Sequence, residues 1–231
     1  MTRILTTPVS DPSAWRTSDF DGDDSWIIRL GPAERAELTR ATSSVLVRGL
    51  EPCAFDKEAF SLPTLSKRLE RILDELENGQ GFVMLRGIPL DGLDDRAVRL
   101  LYSGIGAHLG TVITQNSQGE RIGEVTDRGS EYATTGVRGH GSRAAIRPHC
   151  DSADVVGLLC VSPAARGGSS LITSSVTVYN ELLENHPELI EVLCRGFRIN
   201  LAGKGPTGRA DELSRGRIPV FSYYRGRLSC R

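Results

Sequence analysis

The stretch RPHCDSADVVGLL, residues 147 to 159, sets a histidine and an aspartate one residue apart at the mouth of an apolar run. In an extended chain residues i and i+2 project from one face, so His149 and Asp151 converge on one point while Cys150 turns away. An imidazole nitrogen beside a carboxylate oxygen is two thirds of the 2-His-1-carboxylate set that holds non-haem Fe(II) and leaves coordination positions open. The same two residues also suit a histidine hydrogen-bonded to a nearby carboxylate in a loop, and the pair alone does not separate the two roles. Other chemistries lack their motifs: there is no P-loop, no GxSxG elbow and no HExxH. GIGAHLG, residues 104 to 110, has GxGxxxG spacing late in a helical pattern, which reads as helix packing with a glycine cap and not as a dinucleotide loop.

The elements that must carry the pair fall into two textures. Residues 1 to 25 mix proline, aspartate and glycine without periodicity, an irregular N-terminal arm. Regular structure begins near WIIRL, and GPAERAELTRATSSVL follows as a helix with Pro32 in its first turn. In SLPTLSKRLERILDELENG, residues Leu65, Leu69, Ile72, Leu73 and Leu76 recur at helical spacing up to a capping Gly79. GFVMLRGIP reads as a short buried strand, and a third helix spans about Asp94 to Leu109. After Gly110 short extended pieces take over: RIGEVTD, DVVGLLCV, SSLITSS, FRINL and IPVFSYY are strand candidates. TVYNELLENHPELIEVL is a helical insert that Pro187 divides in two. Helices first and short strands later predict an α+β chain whose β part is a sandwich or barrel, with residues 26–231 forming a single domain.

Composition sets the class of partner. Apolar residues are 39% and charged residues 25% of the 231 residues, with a formal charge of −1, which is ordinary globular usage. Only Lys57, Lys67 and Lys204 among the 28 basic residues are lysine. The arginines are spread along the chain, so no nucleic-acid-binding face is expected. Five scattered cysteines with no CxxC pair suit a reducing cytoplasm better than a disulfide framework or structural zinc. The first residues lack a signal-peptide core, and no stretch approaches eighteen consecutive apolar residues, so a soluble cytoplasmic protein without a membrane partner is expected.

With the pair, the following VVGLLCV run, the PAARGGSSLITSS turn and the helical insert in this order, the chain resembles the TauD/TfdA-type Fe(II)- and 2-oxoglutarate-dependent dioxygenases. GFVMLRGIP and IGAHLGTVITQNSQGERIGEVTD resemble the N-terminal half of that family, and the resemblance covers roughly residues 60 to 224. It implies a double-stranded β-helix, or jelly roll, with N-terminal and inserted helices. It also implies Fe(II) at one end, 2-oxoglutarate as chelating co-substrate and hydroxylation of a small molecule at an unactivated C–H bond. Carried over by position, His149 and Asp151 match the first two iron ligands. Ser170 in the GGSS turn matches a threonine that contacts the co-substrate carboxylate, keeping its hydroxyl and losing its methyl. Gln115 and Asn116 lie where the family chain passes the substrate pocket.

Two parts of the family pattern have no counterpart. Downstream of Asp151 the one histidine is His186, immediately before Pro187 in a segment the family uses structurally, and His108 and His140 lie upstream of the pair. Arg225, Arg227 and Arg231 fall ahead of the place where the co-substrate arginine is expected. The end of the chain points the same way: IPVFSYY, an Arg-Gly turn and RLSCR read as a hairpin whose second strand leaves an edge unpaired, which invites self-association. The expectation is a jelly roll incomplete at its C-terminus, lacking its C-terminal part. Three readings follow: a small-molecule hydroxylase of this family represented by an incomplete chain, a catalytically dead remnant binding a small acid or a protein, and a cupin-type metal barrel in which His108 or His140 joins His149; iron-dependent succinate release from 2-oxoglutarate separates the first two.

Overall fold

The structure is a computed structural model that describes residues 4–116, 119–127, 145–151, 153–201, 203 and 205–231. Its elements are β1 (Ile27–Arg29), α1 (Pro32–Val47), α2 (Ser66–Asn78), β2 (Met84–Arg86), α3 (Asp95–Leu109), α4 (Ser175–Asn185), α5 (Pro187–Arg195), β3 (Phe221–Tyr224) and β4 (Arg227–Cys230). The chain divides into two compact units. One comprises Val9–Val112 and Val155–Val178, the other Met1–Pro8, Ile113–Asp154 and Tyr179–Arg231.

The first unit is helical, and its helices start where local chemistry satisfies their free N–H groups. Pro32 opens α1, whose Glu34 carboxylate accepts from the Gly31 N–H at 2.8 Å. Asp94 caps α3 by accepting from the Ala97 N–H at 2.8 Å. Helix α2 has no such neighbour in sequence and takes its cap from α1: Glu37 Oε1 and Oε2 accept from the Thr64 and Leu65 N–H groups at 2.9 and 2.8 Å. Glu37 is 4% exposed. Beside it Arg68 donates to Glu34 at 2.8 Å. Burial works to raise the Glu34 pKa, but the Arg68 hydrogen bond, the Gly31 N–H and the Arg68 charge together hold it below its ordinary value.

Leu38, Ala41 and Val45 of α1, Leu69 and Ile72 of α2 and Leu100, Leu101 and Ile105 of α3 close one core around Phe60, Leu62 and Leu65. A Cβ on Gly104 would lie 2.4 Å from the Phe60 ring, so this glycine is where an aromatic ring rests on α3. The GIGAHLG sequence therefore serves helix packing. Strands β1 and β2 pair in parallel, Ile27 with Met84 through Arg29 with Arg86. The strand expected at GFVMLRGIP exists but is not buried, since Met84 and Arg86 face solvent. Ahead of it, the irregular arm is tied down by edge-to-face rings of Trp15, Phe20 and Phe82 and by the Trp15 indole N–H donating to the Gln80 carbonyl at 2.8 Å.

The second unit is built on α5 and a hairpin. Pro187 ends α4 and opens α5, as the insert sequence requires. Strands β3 and β4 are antiparallel, with Phe221 opposite Cys230 and Tyr224 opposite Arg227. Arg225 (φ 50°) and Gly226 (φ 85°) form the two-residue turn between them, both left-handed as such a hairpin demands. Tyr179, Ile190 and Phe221 form a small core with Leu193, Leu228 and Cys230 against it.

The remaining strand candidates depart from expectation. Residues 121–127, 154–161 and 169–174 run without ladder partners, and FRINL is reduced to single bridges at Phe197–Ile218 and Asn200–Leu213. The physical reason is visible in the side chains: Leu158 and Leu171 are 75% and 97% exposed, so these apolar runs lack the facing layer that makes a strand worth forming. The described residues thus make an α+β structure with two separate two-stranded sheets. No helix among them is long and apolar enough to cross a membrane.

Candidate functional site

Residues 145–151 lie outside any helix or strand, and His149 and Asp151 are both exposed on this segment. Pro148 removes a backbone donor directly ahead of the pair. The His149 ring is oriented by its own segment: Nδ1 lies 2.8 Å from the Arg147 carbonyl oxygen. A neutral imidazole bonded in this way keeps its proton on Nδ1 and presents the Nε2 lone pair outward, the form in which histidine ligates a metal. Imidazole nitrogen and carboxylate oxygen suit Fe(II). Residue types for two of the three ligands of a 2-His-1-carboxylate set thus stand on this segment, while no cluster of three or more His, Cys, Asp or Glu side chains with metal-holding geometry occurs among the described residues.

The other histidines are committed elsewhere. His108 Nε2 sits 2.8 Å from the Phe60 carbonyl oxygen, joining the end of α3 to the core loop. His186 immediately precedes α5 and lies 3.5 Å from Glu188, with both side chains well exposed. His140 lies outside the described residues. The cupin-type arrangement through His108 gains nothing from this geometry, because that ring already has a structural bond.

Ser170 stands in an exposed stretch without ladder partners, so the strand expected beneath it is not formed. Gln115 and Asn116 close a turn. The Gln115 N–H donates to the Glu120 carbonyl at 2.6 Å, the Asn116 side-chain amide donates to the Glu120 carboxylate, and the Glu120 N–H returns to Asn116 Oδ1 at 3.1 Å. Asn116 is thereby spent on its own loop, while Gln115 Nε2 makes a longer 3.2 Å bond to the Ile113 carbonyl.

Sequence reasoning missed what the residue between the two candidate ligands does. The Cys150 sulfur lies 3.9 Å from that of Cys230 on β4. Burial, followed by the Cys150 neighbour, pushes the Cys230 thiol up to about 11. The alternation expected of an extended chain sets Cys150 apart from its neighbours, but nothing local names a partner eighty residues on.

Residues 46–224 match the family model for the taurine catabolism dioxygenase TauD, TfdA family. The chain belongs to the TauD/TfdA family of dioxygenases. It is 32% identical over 232 residues to FR-33289 synthase of Streptomyces rubellomurinus, covering all of this chain and 68% of that protein. It is 29% identical over 192 residues to the taurine hydroxylase-like protein SAT17 of Stachybotrys chartarum, covering 80% of this chain and 50% of that one.

Proposed function

We propose that the protein is an Fe(II)- and 2-oxoglutarate-dependent oxygenase that hydroxylates a small molecule, with His149 and Asp151 as two of its metal ligands. The observation that carries the reading is the His149–Asp151 pair itself. Both side chains are exposed on one short segment without regular structure, and the 2.8 Å bond from His149 Nδ1 to the Arg147 carbonyl leaves the other ring nitrogen for a metal. Membership of the TauD/TfdA family supports it.

Bound there, Fe(II) with 2-oxoglutarate would supply the oxidising chemistry. The chain's own part is to fix geometry. The Arg147 carbonyl holds the His149 tautomer, and the Asp151 carboxylate adds a negative charge that offsets part of the metal's. Ser170 is assigned to the co-substrate carboxylate, where its hydroxyl would donate a hydrogen bond. Gln115 is kept as a substrate-contact candidate in preference to Asn116. The names of the two relatives, a synthase and a taurine hydroxylase-like protein, favour a small metabolite as substrate.

The test is anaerobic calorimetry with Mn(II) as a redox-stable stand-in for Fe(II), with and without 2-oxoglutarate, beside succinate formation in air. Binding lost in both His149→Ala and Asp151→Ala is the expected result. Metal affinity indifferent to both substitutions would overturn the assignment. Binding without any succinate would favour the alternative in which the same fold is a small-acid binding module.

A further inference from the structure

Cys150 and Cys230 bring two free thiols to 3.9 Å across eighty residues of chain. Cys230 lies on β4, opposite Phe221, with its side chain against the small core of Tyr179, Ile190 and Phe221. Cys150 is exposed on the unpaired segment 145–151. We propose that this pair is an oxidation site, at which a peroxide converts the two thiols into a disulfide tying the His149–Asp151 segment to the hairpin.

Three features of the structure support this. Disulfide sulfurs are about 2.05 Å apart, so closure needs a movement of roughly 2 Å. The segment bearing Cys150 has no ladder to break, so it can supply that movement while Cys230 stays anchored in the β3–β4 pairing. Access is one-sided: an oxidant reaches the exposed Cys150 first, and the half-buried Cys230 is the thiol waiting beside it. The other cysteines have different settings, with Cys53 against the Ser103 hydroxyl at 3.5 Å, Cys160 exposed and Cys194 half-buried on α5.

The step balances with hydrogen peroxide as oxidant. The Cys150 sulfur attacks one peroxide oxygen, the O–O bond breaks, and a sulfenic acid and one water form. The Cys230 sulfur then attacks the Cys150 sulfur, displacing the hydroxyl as a second water. Two thiols lose two electrons and two protons in all, and one peroxide becomes two waters. The proposal is independent of the metal assignment, because neither His149 nor Asp151 takes part.

The experiment treats the full chain with one equivalent of hydrogen peroxide, blocks remaining thiols with N-ethylmaleimide and maps peptides without reduction. The expected product is a Cys150–Cys230 cross-linked peptide, lighter by two hydrogens, reversed by dithiothreitol. It should form several-fold faster in folded protein than in guanidinium. In Cys230→Ser, Cys150 should stop at the sulfenic acid, which dimedone traps, while circular dichroism confirms that the variant folds. Cys150 pairing with Cys160, Cys230 remaining fully alkylated, or equal cross-linking in folded and unfolded chain would each overturn the proposal.

Discussion

Replacing Glu37 by alanine tests whether one buried carboxylate holds α1 and α2 together. The wild-type side chain receives two backbone N–H groups at 2.9 and 2.8 Å and is nearly sealed from water. Its removal orphans both donors at the start of α2. Each unsatisfied buried donor costs about 1 to 3 kcal/mol, and losing an N-cap costs about 0.5 to 2 kcal/mol. Relief of the carboxylate's own desolvation offsets part of this, which leaves about 2 to 4 kcal/mol out of a total stability of about 5 to 15. Both tryptophans, Trp15 and Trp26, lie in the same unit as Glu37, so their fluorescence follows its unfolding in urea. With a slope of about 2 kcal/mol per molar, the midpoint should fall by roughly 1 to 2 M. Glu37→Gln keeps one acceptor and turns an amide N–H toward the other donor, so it should lose about half as much. The exposed Glu58→Ala is the control. A Glu37→Ala midpoint within about 0.3 M of wild type would show that water replaces the carboxylate and that the capping argument is wrong.

Gly104→Ala places a methyl at 2.4 Å from the Phe60 ring and should destabilise the helical unit by about 1 to 3 kcal/mol, read from the same fluorescence transition; Gly106→Ala, with open space around it, should not. Ser170→Ala removes a hydrogen bond to a charged carboxylate worth about 1.5 to 3 kcal/mol, so 2-oxoglutarate affinity measured in the presence of Mn(II) should weaken by roughly ten- to a hundredfold; unchanged affinity would remove Ser170 from the site. Tyr179, Cys194 and Cys230 all hold their protons more tightly when folded, chiefly through burial. The unfolded chain releases those protons first, so their contribution is complete below the ordinary pKa values of about 8.5 to 10 and is lost as pH rises through the folded ones. Urea transitions followed by circular dichroism should therefore move to lower midpoint between about pH 8 and about pH 10.5, and an unchanged midpoint would refute the assignment of burial as the cause.

The helices were readable because their signals are local. Pro32, Asp94 and Pro187 mark starts by their own backbone chemistry, and the Leu65–Leu76 spacing marks the buried face of α2. The Arg-Gly turn was readable for the same reason. The strand at GFVMLRGIP and the final hairpin were also readable, whereas VVGLLCV and SSLITSS misled, because they carry strand composition whether or not a partner lies beside them, and pairing is a property of distant segments. Glu37 capping α2, Glu34 meeting Arg68 and Cys150 meeting Cys230 share that character: each joins residues more than twenty-five positions apart. At the candidate site, residue types identified the His149–Asp151 pair. The bond that orients His149 reaches only two residues back, yet carbonyl direction cannot be read from letters.

The start of α4 has a bearing on how the chain is made. Ser174 caps this helix by accepting from the Thr177 N–H at 2.9 Å while its hydroxyl donates to the Ser13 carbonyl, and the Thr177 hydroxyl donates to the Trp15 carbonyl at 2.7 Å. In each clasp one partner is translated some 160 residues before the other. At about 5 to 20 residues per second, that gap is on the order of ten to thirty seconds. Helices α1, α2 and α3 can close their core within it, while the carbonyls of Ser13 and Trp15 wait on solvent. The helical unit is thus assembled in two instalments: first the core, with the Trp15 and Phe20 rings already on Phe82, and later the clasp of α4 on the Ser13 and Trp15 carbonyls.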